Sequence, residues 1–227
     1  MSDITILFYT ANLPPEPFAS NIRKALLEVT RGIPIISISH KPMDFGTNIC
    51  VGDLPHTHYS MFKQIWIGAQ NAKTKYVACC EDDTLYTSRY FEYRPTDNVF
   101  AYNQNRYRVY KDCFALRYLG RHPTTSGMWN CIAPTELMVE TLGKRFEKFP
   151  VSGSLVHWGE PGRYDHRLGL PRPQSYRFYA SIPNVTFSHR GLGGKRPIIS
   201  KYDTIERELP YWGKAEELWN RMWHGDG

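Results

Sequence analysis

Three carboxylates in a row, Glu81, Asp82 and Asp83, follow directly on the apolar stretch Tyr76–Cys80 within KYVACCEDDTLY (75–86). Adjacent acids repel one another, and burying them unpaired is costly. A divalent cation relieves both penalties. All-oxygen donors suit Mg²⁺ or Mn²⁺, ions that sit on one or two carboxylates together with substrate phosphates. A solvated acidic turn is the plainer alternative. The apolar run before the acids predicts a central strand of a parallel sheet, covered on both faces. Ligands of open α/β sheets bind beyond the carboxyl ends of such strands, where this triplet falls. Cys79 and Cys80, adjacent in the strand, are expected to point to opposite faces.

The elements that would hold such a turn can be read on either side of it. ITILFY (4–9) predicts a first buried strand ending at Thr10, Ala11 and Asn12, and the prolines of LPPEP stop any regular element there. Phe18, Ile22, Ala25, Leu26 and Val29 then make one face of an amphipathic helix that Gly32 ends. IPIISIS (33–39) is the second strand, so the chain opens β-loop-α-β. Residues 40–56 read as irregular, and Tyr59, Phe62, Trp66 and Ala69 mark a second helix ending near Lys73. His56 and His58 read as loop and N-cap residues. NVFAYN (98–103) predicts a short strand, RYRVYKDCFALRY (106–118) a strand pair or one long strand, and GMWNCIA (127–133) another strand. Pro134 suits the first turn of a helix running to about Arg145. Residues 150–183, rich in Gly, Pro, Arg and Tyr, read as a long functional or mobile loop. NVTFSH (184–189) closes the core, and a helix over roughly 213–223 puts Ala215, Leu218, Trp219 and Met222 on one side. The sum is an α/β fold: a mostly parallel, Rossmann-like sheet flanked by helices, in a single domain.

With 227 residues, 15 Tyr, 11 Phe and 6 Trp, the chain can bury a substantial core and is not of disordered composition. Its formal charge of +6 and pI of about 9.0 favour polyanionic partners. Five cysteines without a CxxC pair indicate neither a disulfide framework nor a zinc site. No secretory signal is recognisable, and no apolar run approaches the ~18 residues of a membrane span. A cytoplasmic protein with no membrane partner is therefore expected.

The order of parts resembles that of GT-A-fold glycosyltransferases, from residue 4 to about 195. Beyond the opening β-α-β unit, FKQIWIGAQNAKTKYVACCEDD (62–83) is similar to the segment leading into the DxD-type acidic motif of that fold. Glu81 takes the first acidic place and Asp83 the last. RYDHRLGL (163–170) resembles the family's xED stretch, with Tyr164 in place of the usual Glu and Asp165 at the position of the catalytic Asp. FSHRGLGGKR (187–196) resembles the segment whose histidine completes the metal site, matching His189. The compact glycosyltransferases of bacteriophages are similar in scale, and a phage-encoded enzyme would work in the host cytoplasm.

The resemblance implies a nucleotide-binding half (1–86) and an acceptor-side half with a C-terminal helix (87–227). It implies a nucleotide-sugar donor, UDP-linked in the first instance, and Mn²⁺ or Mg²⁺ on Asp83 with Glu81 and His189. Such an ion would neutralise the departing diphosphate. Thr10, Ala11, Asn12, His40, Lys41, Lys63 and Asp82 are then expected on the nucleotide sugar. Arg190, Lys195 and Arg196 would clamp its phosphates. Asp165, or failing it Glu160 in HWGEPG, would take the proton of the acceptor hydroxyl.

Arginines crowd 86–121 and 163–190: Arg89, Arg94, Arg106, Arg108, Arg117, Arg121, Arg163, Arg167, Arg172 and Arg177. Together with the tyrosines they point to phosphates and stacked bases. A hydroxymethylated pyrimidine in DNA is accordingly the first acceptor to consider, ahead of a polysaccharide or protein glycan. Two other classes stay open. A metal-dependent nucleotidyltransferase also uses strand-end acids, although no P-loop GxxxxGK[ST] is present. A non-catalytic basic module would use the same arginines with a merely structural EDD.

Overall fold

The computed structural model describes residues 2–111, 114–118, 127–151, 159–188 and 203–225. In chain order the elements are β1 (Ile4–Thr10), α1 (Phe18–Val29), β2 (Ile35–Ser39), β3 (Thr47–Cys50), α2 (His58–Asn71), β4 (Tyr76–Glu81), β5 (Thr84–Leu85) and α3 (Ser88–Phe91). They continue with β6 (Phe100–Asn103), β7 (Arg106–Tyr110), β8 (Phe114–Tyr118), β9 (Cys131–Pro134), α4 (Thr135–Lys148), β10 (Ser175–Phe178) and β11 (Asn184–Phe187). The chain closes with β12 (Asp203–Glu206), β13 (Glu208–Leu209), β14 (Gly213–Lys214) and α5 (Ala215–His224).

Every residue of β1 is buried, as its unbroken apolar run requires of a strand covered on both faces. It lies in the middle of a seven-stranded sheet ordered β10-β6-β9-β4-β1-β2-β3. Only β9 runs against its neighbours. The register aligns Thr10 with Ser39 of β2 and Tyr9 with Glu81 of β4, so three carboxyl ends share one edge. Cys79 belongs to the core on one face, with Phe62 and Ile65 of α2 and Leu142 of α4. Cys80 belongs to the core on the other, with Leu26 of α1 and Tyr90 of α3. The alternation expected of a strand thus holds.

A second, five-stranded sheet, ordered β12-β8-β7-β11-β5, begins as soon as the acids end. Thr84 and Leu85 pair antiparallel with Thr186 and Val185. Its inner side meets α5 and the outer side of α1 in a third core, where Phe18 lies 5.4 Å from Phe187 and 4.3 Å from Trp223. No described helix is long and apolar enough to cross a membrane.

Several local expectations change. Residues 40–56 contain an edge strand, β3, whose short and partly polar TNIC carries no period-2 signal. The N-cap of α2 is Thr57, whose hydroxyl accepts the Ser60 N–H at 3.3 Å, and His58 is the first helical residue. Met128–Asn130 form a 3₁₀ turn before β9, and Pro134 ends that strand instead of opening the first turn of α4. Arg106–Tyr110 and Phe114–Tyr118 form an antiparallel pair. Within 150–183, Ser175–Phe178 supplies the outer strand of the main sheet. Asn184–Phe187 joins the second sheet and not the first.

Helix α2 sits unusually close to the sheet at Gly68. A Cβ there would come within 2.5 Å of Ile38 Cδ1 and 3.2 Å of Leu7 Cδ2. Gly68→Val should therefore destabilise the fold by about 1–3 kcal/mol through overpacking, read as a lower chemical-denaturation midpoint at unchanged slope. A neutral or stabilising effect would mean that α2 can retreat from β1 and β2.

Candidate active site

The acidic triplet stands on the edge where β1, β2 and β4 end together. Tyr9 donates its hydroxyl to Glu81 Oε1 at 3.1 Å. Thr10 Oγ1 donates to Asp82 Oδ2 and accepts the Asn12 N–H at 2.7 Å. Asn12, at a left-handed φ of 55°, accepts the Lys41 N–H at Oδ1 (2.8 Å), which ties the exit of β1 to that of β2. Beneath them Gln64 of α2 donates Nε2 to the carbonyls of Thr10 (2.8 Å) and Ile38 (2.9 Å). Asp83 is only 3% exposed. Its Oδ1 accepts the hydroxyls of Thr84 (2.9 Å) and Thr186 (3.2 Å), and its carbonyl accepts the Phe187 N–H (2.8 Å). Behind the turn, the Glu81 N–H donates to Tyr86 Oη (2.9 Å), which donates to the Trp129 carbonyl (2.9 Å).

Burial, followed by repulsion from Asp83 and Asp82, pushes the Glu81 carboxyl well above its ordinary range; Tyr9 and Arg108 oppose this. Asp82 is pushed up to about 7, again by burial first and Asp83 second. These carboxylates are braced by hydroxyls and strained by burial and their own like charge, the two penalties that a bound cation would relieve. Among the described residues the three carboxylates are not a set whose ligand atoms all lie within 4.8 Å of one another; His40, Asp53 and His56 are such a set.

Thr10, Ala11, Asn12, His40 and Lys41 line the same edge as the acids, at the ends of β1 and β2. Lys63 does not join them. Its ammonium lies over the rings of Trp66 (4.5 Å) and Phe146 (4.8 Å), between α2 and α4. His189, Arg190, Lys195 and Arg196 lie outside the described residues, although Phe187 and Ser188, which lead to them, run beside Asp83 and Val109.

Asp165 stands in a different setting from that expected of a proton acceptor. It is 1% exposed. Its Oδ1 accepts Arg145 Nε at 2.8 Å with Arg145 Nη2 at 2.6 Å, and its Oδ2 accepts the Gly162 N–H at 2.7 Å. Arg145, fully buried, passes Nη1 to the Gly159 carbonyl at 2.6 Å. Asp165 borders a pocket under α4 that Leu137, Glu140, Thr141, Lys144 and Arg172 also line. Glu160 is half-buried, and burial raises its pKa against the pull of Arg163, Arg106 and Arg145. The next residue's carbonyl, that of Pro161, accepts Tyr102 Oη of β6 at 2.8 Å. β6 and β4 are separated by β9 alone, about 10 Å at two strand spacings.

The supporting residues Tyr9, Gln64, Thr84 and Thr186 carry no motif: strand register brings Tyr9 and Thr186 to the acids, Thr84 follows Asp83 in the chain, and α2 brings Gln64 beneath the strand exits. Asp53 and His56 were also missed as partners. They meet His40, whose ring centroid lies 5.6 Å from that of His56. The sequence pairs His56 with His58 by proximity, and only the fold shows that its neighbour is His40.

No protein-family model and no curated sequence matches the chain. Solved structures do. A glycosyltransferase involved in the glycosylation of the major capsid of PBCV-1 superposes with a TM-score of 0.51 at 12% identity, over 82% of this chain and 92% of that one. The glycosyltransferase GlyE of Streptococcus pneumoniae TIGR4 gives 0.44 at 8% identity, over 77% of this chain and 45% of its own length. TarS of S. aureus gives 0.39 at 10%, over 62% and 30%. This chain thus spans less than half the length of the latter two. The first match gives the chain a glycosyltransferase, GT-A-like fold.

Two outcomes follow from the site's electrostatics. A carboxyl whose pKa rises on folding adds stability at low pH and loses it as pH climbs through the folded value. In metal-free protein, the Tm of wild type should therefore fall relative to Asp82→Asn as pH rises from 3.8 through about 7; parallel curves would contradict the buried repulsion. Asp165→Ala strands the Arg145 charge and should cost about 3–5 kcal/mol in chemical denaturation. A loss below 1 kcal/mol, on the scale of an exposed pair, would contradict the buried pairing.

Proposed function

We propose that the protein transfers a sugar from a nucleotide sugar, UDP-linked in the first instance, to a hydroxyl acceptor. The observation that carries this reading is a hydroxyl-braced carboxylate triplet at the carboxyl edge of the central sheet, on a glycosyltransferase fold. Residues 1–86 serve as the nucleotide half and 87–227 as the acceptor half. Thr10, Ala11, Asn12 and Lys41 meet the nucleotide, with His40 on the same edge. Asp83 and Glu81 hold Mn²⁺ or Mg²⁺, His189 completes the set, and Asp82 faces the diphosphate from its bond to Thr10. When bound, the ion neutralises charge developing on the departing diphosphate. Arg190 and Arg196 contact the phosphates through their forked donors and Lys195 as a point charge. Lys63 stays outside, engaged over two rings.

Glu160 takes the acceptor proton as the sugar carbon is attacked, since it is partly open and its raised pKa suits proton uptake. Asp165 is a positioning residue: it orients Arg145, which holds the Gly159 carbonyl and thereby the residue after it. The acceptor is a glycan or protein hydroxyl in preference to a base in DNA. Several of the arginines that suggested phosphate binding have partners within the protein: Arg89 pairs with Glu92 at the surface, Arg94 with Asp3, and Arg172 with the Gly162 carbonyl. Arg163 and Arg167 lie against the ring of Tyr164. The structurally similar enzyme involved in capsid glycosylation is consistent with an acceptor of that kind.

A panel of nucleotide sugars with Mn²⁺, read by mass spectrometry, should show a donor consumed. Asp83→Asn should abolish both transfer and donor hydrolysis. Glu160→Gln should slow the chemical step by about 10²–10⁴-fold with nucleotide binding nearly unchanged. The acid limb of the wild-type kcat/KM profile should lie above the ordinary glutamate range, because activity rises as Glu160 ionises. Consumption of a nucleoside triphosphate with pyrophosphate release, and of no nucleotide sugar, would replace this reading with nucleotidyl transfer. Sugar appearing on hydroxymethylated DNA but on no glycan would reinstate DNA as the acceptor.

A further inference from the structure

His40 closes β2 with its side chain buried, 6% exposed, and neither ring nitrogen has a hydrogen-bond partner. A buried polar group left unpaired costs on the order of 1–3 kcal/mol, and an imidazole offers two such atoms. The loop between β3 and α2 supplies what lies opposite. Asp53 and His56, both exposed, each bring one ligand atom so that the three ligand atoms lie within 4.8 Å of one another. The backbone around the cluster is fixed. The Val51 N–H donates to the Ser39 carbonyl at 2.8 Å, Cys50 Sγ donates to the His40 carbonyl at 3.4 Å, and the Lys41 N–H is held by Asn12.

We propose that His40, Asp53 and His56 form a zinc-binding site, separate from the acidic turn, that fastens the 51–57 loop to the end of β2. Two imidazoles and one carboxylate are the donors of borderline-soft Zn²⁺, whereas Mg²⁺ and Mn²⁺ prefer oxygen. Zinc holds such donors at about 2.0–2.2 Å. The buried imidazole is the fixed ligand, and rotation of the two exposed side chains closes the set around it. Three protein ligands leave a fourth position to water. β1 lies between β2 and β4, so this site stands about two strand spacings, some 10 Å, from the acids. The two sites therefore sort by chemistry, nitrogen-rich at one and carboxylate-rich at the other. The zinc site does not rest on the sugar-transfer reading.

The test uses full-length protein free of any histidine tag, stripped with chelator and titrated with Zn²⁺ by calorimetry in excess Mg²⁺. Thermal unfolding and Co²⁺ absorption serve as second readouts. Wild type should bind one Zn²⁺ per chain, gain Tm, and give the absorption bands of low-coordinate Co²⁺. His56→Ala and Asp53→Asn change exposed residues that the fold does not need. Each should weaken Zn²⁺ binding by on the order of tenfold or more, at least the loss known for residues that merely orient a ligand, and should forfeit the Tm gain. Asp83→Asn should bind Zn²⁺ as wild type does. No saturable binding, unchanged binding in both loop variants, or loss of binding in Asp83→Asn would each overturn the proposal.

Discussion

Two residues carry the chain from one sheet into another. β4 ends at Glu81 in the middle of the main sheet, and β5 begins at Thr84 on the edge of the second, so half-buried Asp82 and buried Asp83 make the turn between the two sheets. The connection is short because both ends are fixed: Tyr9 pairs with Glu81 in register on one side, and Thr186 pairs with Thr84 on the other. Glu81 and Asp82, held at this turn beside Asp83, lose hydration and are repelled by it, and their pKa values rise accordingly. Folding therefore builds a site of concentrated negative potential that the chain itself only partly relieves, through the hydroxyls of Tyr9, Thr10, Thr84 and Thr186.

Other parts of the molecule serve to keep that turn where it is. Close packing of α2 at Gly68 brings Gln64 to the exits of β1 and β2, where its amide satisfies carbonyls that no strand can reach. Asn12 accepts a left-handed backbone, for which asparagine is among the better suited residues, and links the same two exits from above. Across the sheet, the Arg145–Asp165 pair organises the 159–170 segment against α4. A buried pair of this kind adds little net stability, but it defines where its neighbours lie. Here the neighbour is Glu160.

The central architecture was legible because buried parallel strands announce themselves as unbroken apolar runs: ITILFY and YVACC gave β1 and β4, and the stripe Phe18–Ile22–Leu26 gave α1. The acidic triplet was legible for the same reason, as a polar interruption where an apolar run stops. Short pieces were not. β3 is four residues on a half-exposed edge, and β10, with three of its four residues exposed, lacks any burial pattern to betray it. The second sheet hid in 106–110, 114–118 and 184–187, since pairing between β7 and β11 is parallel and distant in sequence. Asp165 matched a motif by position, yet the burial that decides its chemistry depends on Arg145 of α4, which no local pattern links to it. His40 and His56 meet for a comparable reason, through a strand edge and a loop that the sequence leaves separate.

On the proposed reading, the acidic turn binds a hard divalent cation jointly with a nucleoside diphosphate. Titrating Mn²⁺ into the protein while following its electron paramagnetic resonance signal, with and without UDP, tests this directly. UDP should tighten Mn²⁺ binding to one ion per acidic turn, and the coupling should vanish in Asp83→Asn while remaining in His56→Ala. Mn²⁺ binding that ignores UDP, or coupling that survives in Asp83→Asn, would contradict the account.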